Sequence, residues 1–287
     1  MKKWLYSIEG NSQKLDGGAM FGNAPRDLWS RWVEPDERNR IDLACRCALI
    51  KEPNRRILLE AGIGAFFEPK LKDRFGVVQT EHVLLENLKQ MGLSHEDIDI
   101  VILSHLHFDH AGGILSQFSE NQEFRLLFPN AQFVVSRDNW LRAVNPHPRD
   151  KASFIPQIQK LLEESGRLHL ISKSKCDLLG EEYQFHYSSG HTPGLMLTEI
   201  YSKDGSIFYC SDLIPGRAWI HQSITMGYDR FPELVIDEKR DFLNYIHQSN
   251  GRIFFVHDPE IAMARISKEH GRFGSFALQR NVHNLLI

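Results

Sequence analysis

The chain has no apolar stretch approaching the roughly 18 residues of a membrane-spanning helix, so no membrane partner is expected. Its opening residues, Met1-Lys2-Lys3-Trp4-Leu5-Tyr6-Ser7-Ile8-Glu9-Gly10, carry two lysines, but the apolar run after them breaks after three residues. That is too short for the apolar segment of a secretory signal, and a cytoplasmic location is the expectation. Cysteine is scarce as well: Cys45, Cys47, Cys176 and Cys210 form no C-x-x-C pair and suggest no disulfide framework. Cys45 and Cys47 lie two apart on an expected strand, share a face, and read as small core residues. Positive charge is not in excess either. Lys and Arg number 34 against 37 Asp and Glu, for a net charge of -3, which disfavours nucleic acid as a partner. No low-complexity tract, repeat or linker divides the sequence, so residues 1–287 are expected to form one domain with a sizeable core.

What is present is ordinary for a globular protein: 42% hydrophobic and 25% charged residues, with 20 Gly and 12 Pro implying many loops. Residues 11–40 read as an N-terminal arm. Within it, Leu15-Asp16-Gly17-Gly18-Ala19-Met20-Phe21-Gly22 holds an apolar patch between glycines, where a tight turn would display Met20 and Phe21 to a ligand. Packing of the arm on the core is an equally good reading from composition, and Trp29 and Trp32 fit it better. Short apolar runs at Ile41 to Ile50 and Arg56 to Glu60, around the turn Pro53-Asn54, predict two antiparallel strands. Leu84, Leu88 and Met91 predict a helix over 80–91 with Thr80 as its cap. A strand is expected over Ile98 to Leu103 and another over Ala131 to Ser136. Helices are expected at 137–144 and 156–165, on either side of an exposed loop, 145–156, that would suit a lid. Strands then follow near 168–171, 183–187, 196–201 and 207–210, with Asp204-Gly205 as a hairpin turn. After an irregular stretch, 213–232, come a helix from about Asp237 to Gln248 with Asp237 as its cap, and a final core strand, Arg252 to Val256.

The most informative stretch is His105-Leu106-His107-Phe108-Asp109-His110, at the mouth of the 98–103 strand and followed by Ala111-Gly112-Gly113. Three imidazoles and a carboxylate in six residues form a metal-ligand cluster, because burying such groups unsatisfied costs roughly 1–3 kcal/mol each. Three more donors stand singly after apolar runs: His191 in Gly190-His191-Thr192-Pro193-Gly194, Asp212 after Ser211, and His257 in Val256-His257-Asp258-Pro259. Alone, each reads as a turn or cap residue. Open sheets, however, gather ligands at the carboxyl ends of strands, and seven donors suffice for two metals.

These motifs, in this order, resemble the metallo-β-lactamase-fold hydrolase superfamily over nearly the whole chain. The resemblance implies an α/β fold, a four-layered αβ/βα metallo-β-lactamase-like sandwich of two similar halves. It implies that His105, His107 and His191 hold one divalent ion and Asp109, His110 and His257 a second, with Asp212 bridging. Imidazole and carboxylate suit Zn²⁺, and ligand type also admits Fe, Mn or Co. Two such ions acidify a shared water, so that hydroxide attacks at neutral pH, with Asp109 carrying a proton. One departure stands out: many members have Asp where this chain has Glu60, in a position that orients a ligand His.

Asp16-Gly17-Gly18-Ala19-Met20-Phe21-Gly22, Asp212-Leu213-Ile214-Pro215 and Met226-Gly227-Tyr228-Asp229 resemble the quorum-quenching N-acyl homoserine lactonase branch and its relatives that hydrolyse organophosphate triesters. That resemblance implies a lactonase acting on a small apolar ester or lactone. Met20, Phe21, Ile214 and Trp219 would line an acyl groove, with core packing as the competing reading, and Tyr228 or His221 would reach the substrate carbonyl. A homodimer is compatible with all of this. A small-ester or phosphotriester hydrolase is the alternative within the fold, and a non-catalytic metal-binding sensor the alternative outside enzymology. Other branches fit less well: true β-lactamases commonly place Cys at the position of Asp212, and the glutathione-thioesterase branch has a longer C-terminal extension than 273–287.

Overall fold

The computed structural model describes residues 2–287. Its strands are β1 (Trp4–Glu9), β2 (Gln13–Asp16), β3 (Arg40–Leu43), β4 (Arg46–Lys51), β5 (Arg56–Leu59), β6 (Ile100–Leu103), β7 (Gln132–Ser136), β8 (Leu168–Ile171), β9 (Tyr183–Ser188), β10 (Leu195–Ile200), β11 (Ile207–Tyr209), β12 (Arg252–Phe254), β13 (Met263–Glu269), β14 (Arg272–Gln279) and β15 (Leu285–Leu286). The helices are α1 (Gly17–Phe21), α2 (Arg26–Trp29), α3 (Pro69–Arg74), α4 (Val83–Gln90), α5 (Phe108–Ala111), α6 (Arg137–Val144), α7 (Pro156–Glu164) and α8 (Pro232–Gln248). Two compact units result, each mixing helices with a sheet. One comprises Met1–Gln13, Ala44–Ser172 and His283–Leu286, and the other Lys14–Leu43, Lys173–Val282 and Ile287. No helix among the described residues is long and apolar enough to cross a membrane.

The first unit is built on a seven-stranded sheet of order β15-β1-β4-β5-β6-β7-β8. Strands β5 to β8 are parallel, and β6, Ile-Val-Ile-Leu, is buried at every position. A strand covered on both faces needs such a continuous apolar run rather than alternation. Helix α7 buries Ile158 and Leu162, four apart on one face, and α4 buries Leu84 and Leu88 in the same way, all within one core with Leu58, Val101 and Phe133. The helix expected from Thr80 begins at Val83 instead. Thr80 Oγ1 accepts from Lys72 Nζ, while Asn11, 72 residues away, accepts from Val83 N (3.1 Å). An orphan amide at a helix start needs an acceptor, and here a distant residue supplies it.

The second unit carries a six-stranded sheet of order β14-β13-β12-β11-β10-β9, and β2 pairs with β3. Helix α8 places Val235, Leu243 and Ile246 in a core with Leu195, Phe208, Ile253 and Phe255. It starts at Pro232, five residues before the expected Asp237. Proline fits the first helical turn because its missing N–H would be unbonded there, and Asp237 pairs with Arg240 (2.8 Å) instead of capping. The hairpin β13–β14 was not anticipated. Residues 41–50 were expected to form one strand, and they divide into β3 and β4.

The arm over 11–40 is structured. Asp16 caps α1 by accepting from Ala19 N (2.8 Å), and Phe21, fully buried, stacks between Trp29 (5.3 Å between ring centres) and Trp219 (4.7 Å). A Phe21→Ala variant should lose about 3–5 kcal/mol of stability, the cost of emptying a buried aromatic site. Urea unfolding followed by tryptophan fluorescence reads the loss, and an unchanged midpoint would show that Phe21 does not hold this cluster.

Candidate metal centre

In the first unit, β6 delivers the chain to the histidine cluster. His105 and His107 stand two apart in the short segment between β6 and α5, and the single turn of α5 then brings His110 back toward them. His107 stands at the start of that turn with φ −65° and ψ 151°. The ring centres of His105 lie 4.4 Å from those of His107 and 4.1 Å from those of His110. His105 and His110 are fully buried and His107 nearly so, while the Asp109 side chain keeps 15% of its exposure. Asp109 Oδ2 lies 3.8 Å from His110 Nε2. Backbone and side chains fix this geometry. Leu106 N donates to Asn139 Oδ1 (2.9 Å), Ala61 N to the His110 carbonyl (2.9 Å), and Ser104 Oγ lies 2.9 Å from His105 Nδ1. Gly113 lets the following turn close: a Cβ there would come within 1.9 Å of the Ala61 carbonyl oxygen.

Glu60 lies beneath the cluster, with a positive φ of 65° and 1% exposure. Its Oε1 accepts from Ser104 N (3.1 Å), and its Oε2, 3.6 Å from His110 Nδ1, has no hydrogen-bond partner among the described residues. Glu60, His105 and His110 each offer a donor atom within 4.8 Å of the others. Burial, with Glu60 nearby, also pushes the Cys47 thiol well above its usual range.

In the second unit, His191 follows β9, Asp212 sits in a 3₁₀ turn (Ser211–Leu213) after β11, and His257 follows β12. Asp212 Oδ2 is 3.2 Å from His191 Nε2, and Asp212 Oδ1 is 3.2 Å from His257 Nε2. His191 Nδ1 meets Asp229 Oδ1 at 2.8 Å, and the other Asp229 oxygen accepts from Met226 N (2.7 Å). A carboxylate on Nδ1 favours the tautomer protonated there and turns the Nε2 lone pair toward Asp212. Lone pair and carboxylate oxygen facing each other suit a cation between them. The chemistry of both donor sets, imidazole with carboxylate, therefore fits a divalent metal. The role of Asp229 was missed in the sequence because 38 residues separate it from the ring it orients and no local spacing links them.

The expected substrate residues fall into four places. Met20, Phe21 and Trp219 pack together, with Trp219 Nε1 donating to the Met20 carbonyl (3.0 Å), whereas Ile214 belongs to the α8 core. His221 stacks on Trp32 (4.5 Å) and, with Trp219, lines a cavity of about 520 Å³. Burial, then the nearby Lys239 charge, lowers the His221 pKa below its ordinary value. Tyr228 is exposed. The 145–156 loop is anchored: Asp150 pairs with Arg142 (2.8 Å), and the buried Phe154 ring lies 4.9 Å from that of His107.

Residues 40–116 match the model of the metallo-beta-lactamase superfamily. An N-acyl homoserine lactonase, AiiA, of Bacillus thuringiensis subsp. kurstaki is 24% identical over 235 residues, covering 77% of this chain and 83% of that protein. Among solved structures, a probable metal-dependent hydrolase from Staphylococcus aureus superposes with a TM-score of 0.87 at 28% identity, covering 99% of this chain and 98% of that one. AidC, a dizinc quorum-quenching lactonase in complex with a product, gives 0.75 at 23% identity, with 96% and 94% covered.

Glu60 supplies a test of the first cluster's scaffold. Glu60→Ala should destabilise the metal-free protein by about 1–3 kcal/mol, because Ser104 N is left buried without its acceptor. Glu60→Gln keeps an oxygen for that bond and should cost much less. Urea midpoints of the two variants decide, and equal losses would contradict the assignment.

Proposed function

Because the chain carries a metallo-β-lactamase superfamily domain within that superfamily's fold, we propose that it is a dinuclear metal-dependent hydrolase that opens small lactones of the N-acyl homoserine type. The observation that carries this reading is Asp212, which turns one carboxylate oxygen toward each of two buried imidazoles, His191 and His257. A carboxylate so placed is built to bridge. We assign His105, His107 and His191 to one ion, Asp109, His110 and His257 to the other, and Asp212 to both. Zn²⁺ is the ion that this imidazole and carboxylate set suits. A pair of such ions would lower the pKa of a shared water and polarise the ester carbonyl.

The chain's own residues supply the rest. Burial of the imidazoles keeps bulk water from their donor atoms, and Asp229 holds the His191 ring in one orientation. Asp109, the most exposed of the first unit's cluster, is the proton carrier. As the water oxygen bonds to the lactone carbonyl carbon, Asp109 takes a water proton at Oδ. When the ring C–O bond breaks, it returns that proton to the leaving oxygen, yielding the open hydroxy acid. His221, on the wall of a cavity that none of the seven donors lines, is our candidate for contact with a part of the substrate remote from the reacting carbon. The lactonase names of relatives such as AiiA and AidC support the substrate class.

His107→Ala and Asp212→Asn should each lower metal content and abolish turnover of a lactone panel, measured by elemental analysis and by ring-opening proton release. Full loading and activity in either variant would overturn the ligand assignment. A metal-loaded protein that hydrolyses phosphotriesters but no lactone would move the substrate class. One that hydrolyses neither, nor simple esters, would be a sensor rather than an enzyme.

A further inference from the structure

Two consecutive residues of α8 reach the loops around His191 without belonging to its donor set. We propose that Glu238 and Lys239 are positioning residues for His191, the first fixing the chain that enters it and the second fixing the loop that presents Asp229 to its ring. The proposal rests on the dinuclear reading above.

The Glu238 carboxylate accepts three hydrogen bonds from the three residues that precede the ligand: Ser188 Oγ to Oε2 (2.6 Å), Ser189 N to Oε1 (2.8 Å) and Gly190 N to Oε2 (3.0 Å). One side chain thereby immobilises the whole approach to His191. The loop lies directly on the helix, since a Cβ on Gly190 would meet Val235 Cγ2 at 2.5 Å and Val235 N at 2.6 Å. The segment leading into α8 completes the clamp: Phe231 N donates to the Gly190 carbonyl (2.8 Å) and Arg230 N to the His191 carbonyl (3.1 Å).

Lys239, the next residue, holds a second loop. It is fully buried, and its Nζ donates to the Ile224 carbonyl. Ile224 begins the loop in which Met226 N bonds Asp229 Oδ2 (2.7 Å) and Asp229 N bonds the Met226 carbonyl (3.1 Å), leaving Asp229 Oδ1 to His191 Nδ1. A buried ammonium is costly, and burial accordingly lowers the Lys239 pKa to about 8, with the Asp229 charge opposing the drop. A methionine would fill the same space without that cost. What lysine adds is a donor long enough to reach from α8 to the Ile224 carbonyl, so Asp229 is set at the distance that its bond to the ring requires.

Because His191 is the one ligand that either residue positions, their loss should weaken one ion and spare the other. The experiment titrates metal-free wild type, Glu238→Gln and Lys239→Met with Co²⁺, reading two binding constants from the visible spectrum, with Asp229→Asn as the benchmark. Glu238→Gln keeps the side-chain volume but turns an amide N–H₂ against N–H donors. We expect one constant to weaken about 10- to 100-fold in each variant, as for lost outer-shell partners of a ligand histidine. The second should stay within about twofold. In the metal-free protein, nitrogen NMR of the His191 ring should show one tautomer, protonated on Nδ1, in wild type and a mixture in the variants. Unchanged constants with an unchanged tautomer overturn the proposal, as does equal weakening of both ions together with a lower urea midpoint, which marks general destabilisation. If Lys239→Met does not fold, Glu238→Gln decides alone. Wild type that takes up no Co²⁺ refutes the dinuclear reading and this proposal with it, whereas wild type that takes up two while the variants behave identically refutes only the proposal.

Discussion

Asp212 is a carboxylate 5% exposed, with a different imidazole nitrogen 3.2 Å from each of its oxygens, and much of the second unit is arranged to keep it so. Burying a negative charge is unfavourable unless positive charge or donors are brought to it. The local backbone bears part of the strain: Ser211, just before it, has φ 45°, in the region that side chains disfavour. Strand β11, buried at all three positions between β10 and β12, carries the chain into that turn. The neighbouring His257 is fixed through its backbone, N donating to the Pro215 carbonyl (2.8 Å). Each group around Asp212 is thus anchored by a bond that does not involve Asp212.

The parts of this arrangement that could be read from the sequence are those in which a local pattern has a local cause. Four apolar runs end in a histidine or aspartate, and each is a strand: β6, β9, β11 and β12. Helix α6 spans its expected residues because its cap, Ser136 accepting from Asn139 N, lies next to it in sequence. What was not legible depends on distant partners. Asn11 caps α4 across 72 residues, Trp219 Nε1 bonds the Met20 carbonyl across 199, and Asp229 orients His191 across 38. The chain also passes from one unit to the other after Gln13, Leu43, Ser172 and Val282, so a stretch such as 41–50 serves both. No periodicity marks those crossings, because apolar residues are needed on either side of them.

The glycine-flanked patch at 17–22 shows the same limit in another form. Glycines there allow a displayed turn, yet Gly17 gives up its side chain for a different reason: a Cβ would come within 2.4 Å of the Trp29 ring. The aromatic rings of Phe21, Trp29 and Trp219 fill the space that a displayed turn would have left to a ligand. Apolar surface removed from water contributes about 25 cal/mol per Å², so large rings meeting face to face outweigh whatever a local turn preference contributes. Composition could pose the choice between groove and core. Only the packing partners, Trp29 nearby and Trp219 late in the chain, decide where these rings go.

Helix α8 joins these threads. Its apolar face, Val235, Leu243 and Ile246, sits in the core, while Glu238 and Lys239 reach the loops that carry His191 and Asp229. The same helix therefore takes its position from tightly packed side chains and passes it to polar ones. Packing resists displacement over many contacts, whereas a single hydrogen bond yields easily to bending. Loops that depend on such bonds hold their geometry only as well as the element supplying them holds its own. A polar pair on a seventeen-residue helix, with Lys239 set within the packed stripe between Val235 and Leu243 and Glu238 one position from it, meets that requirement, which a pair on a surface turn would not.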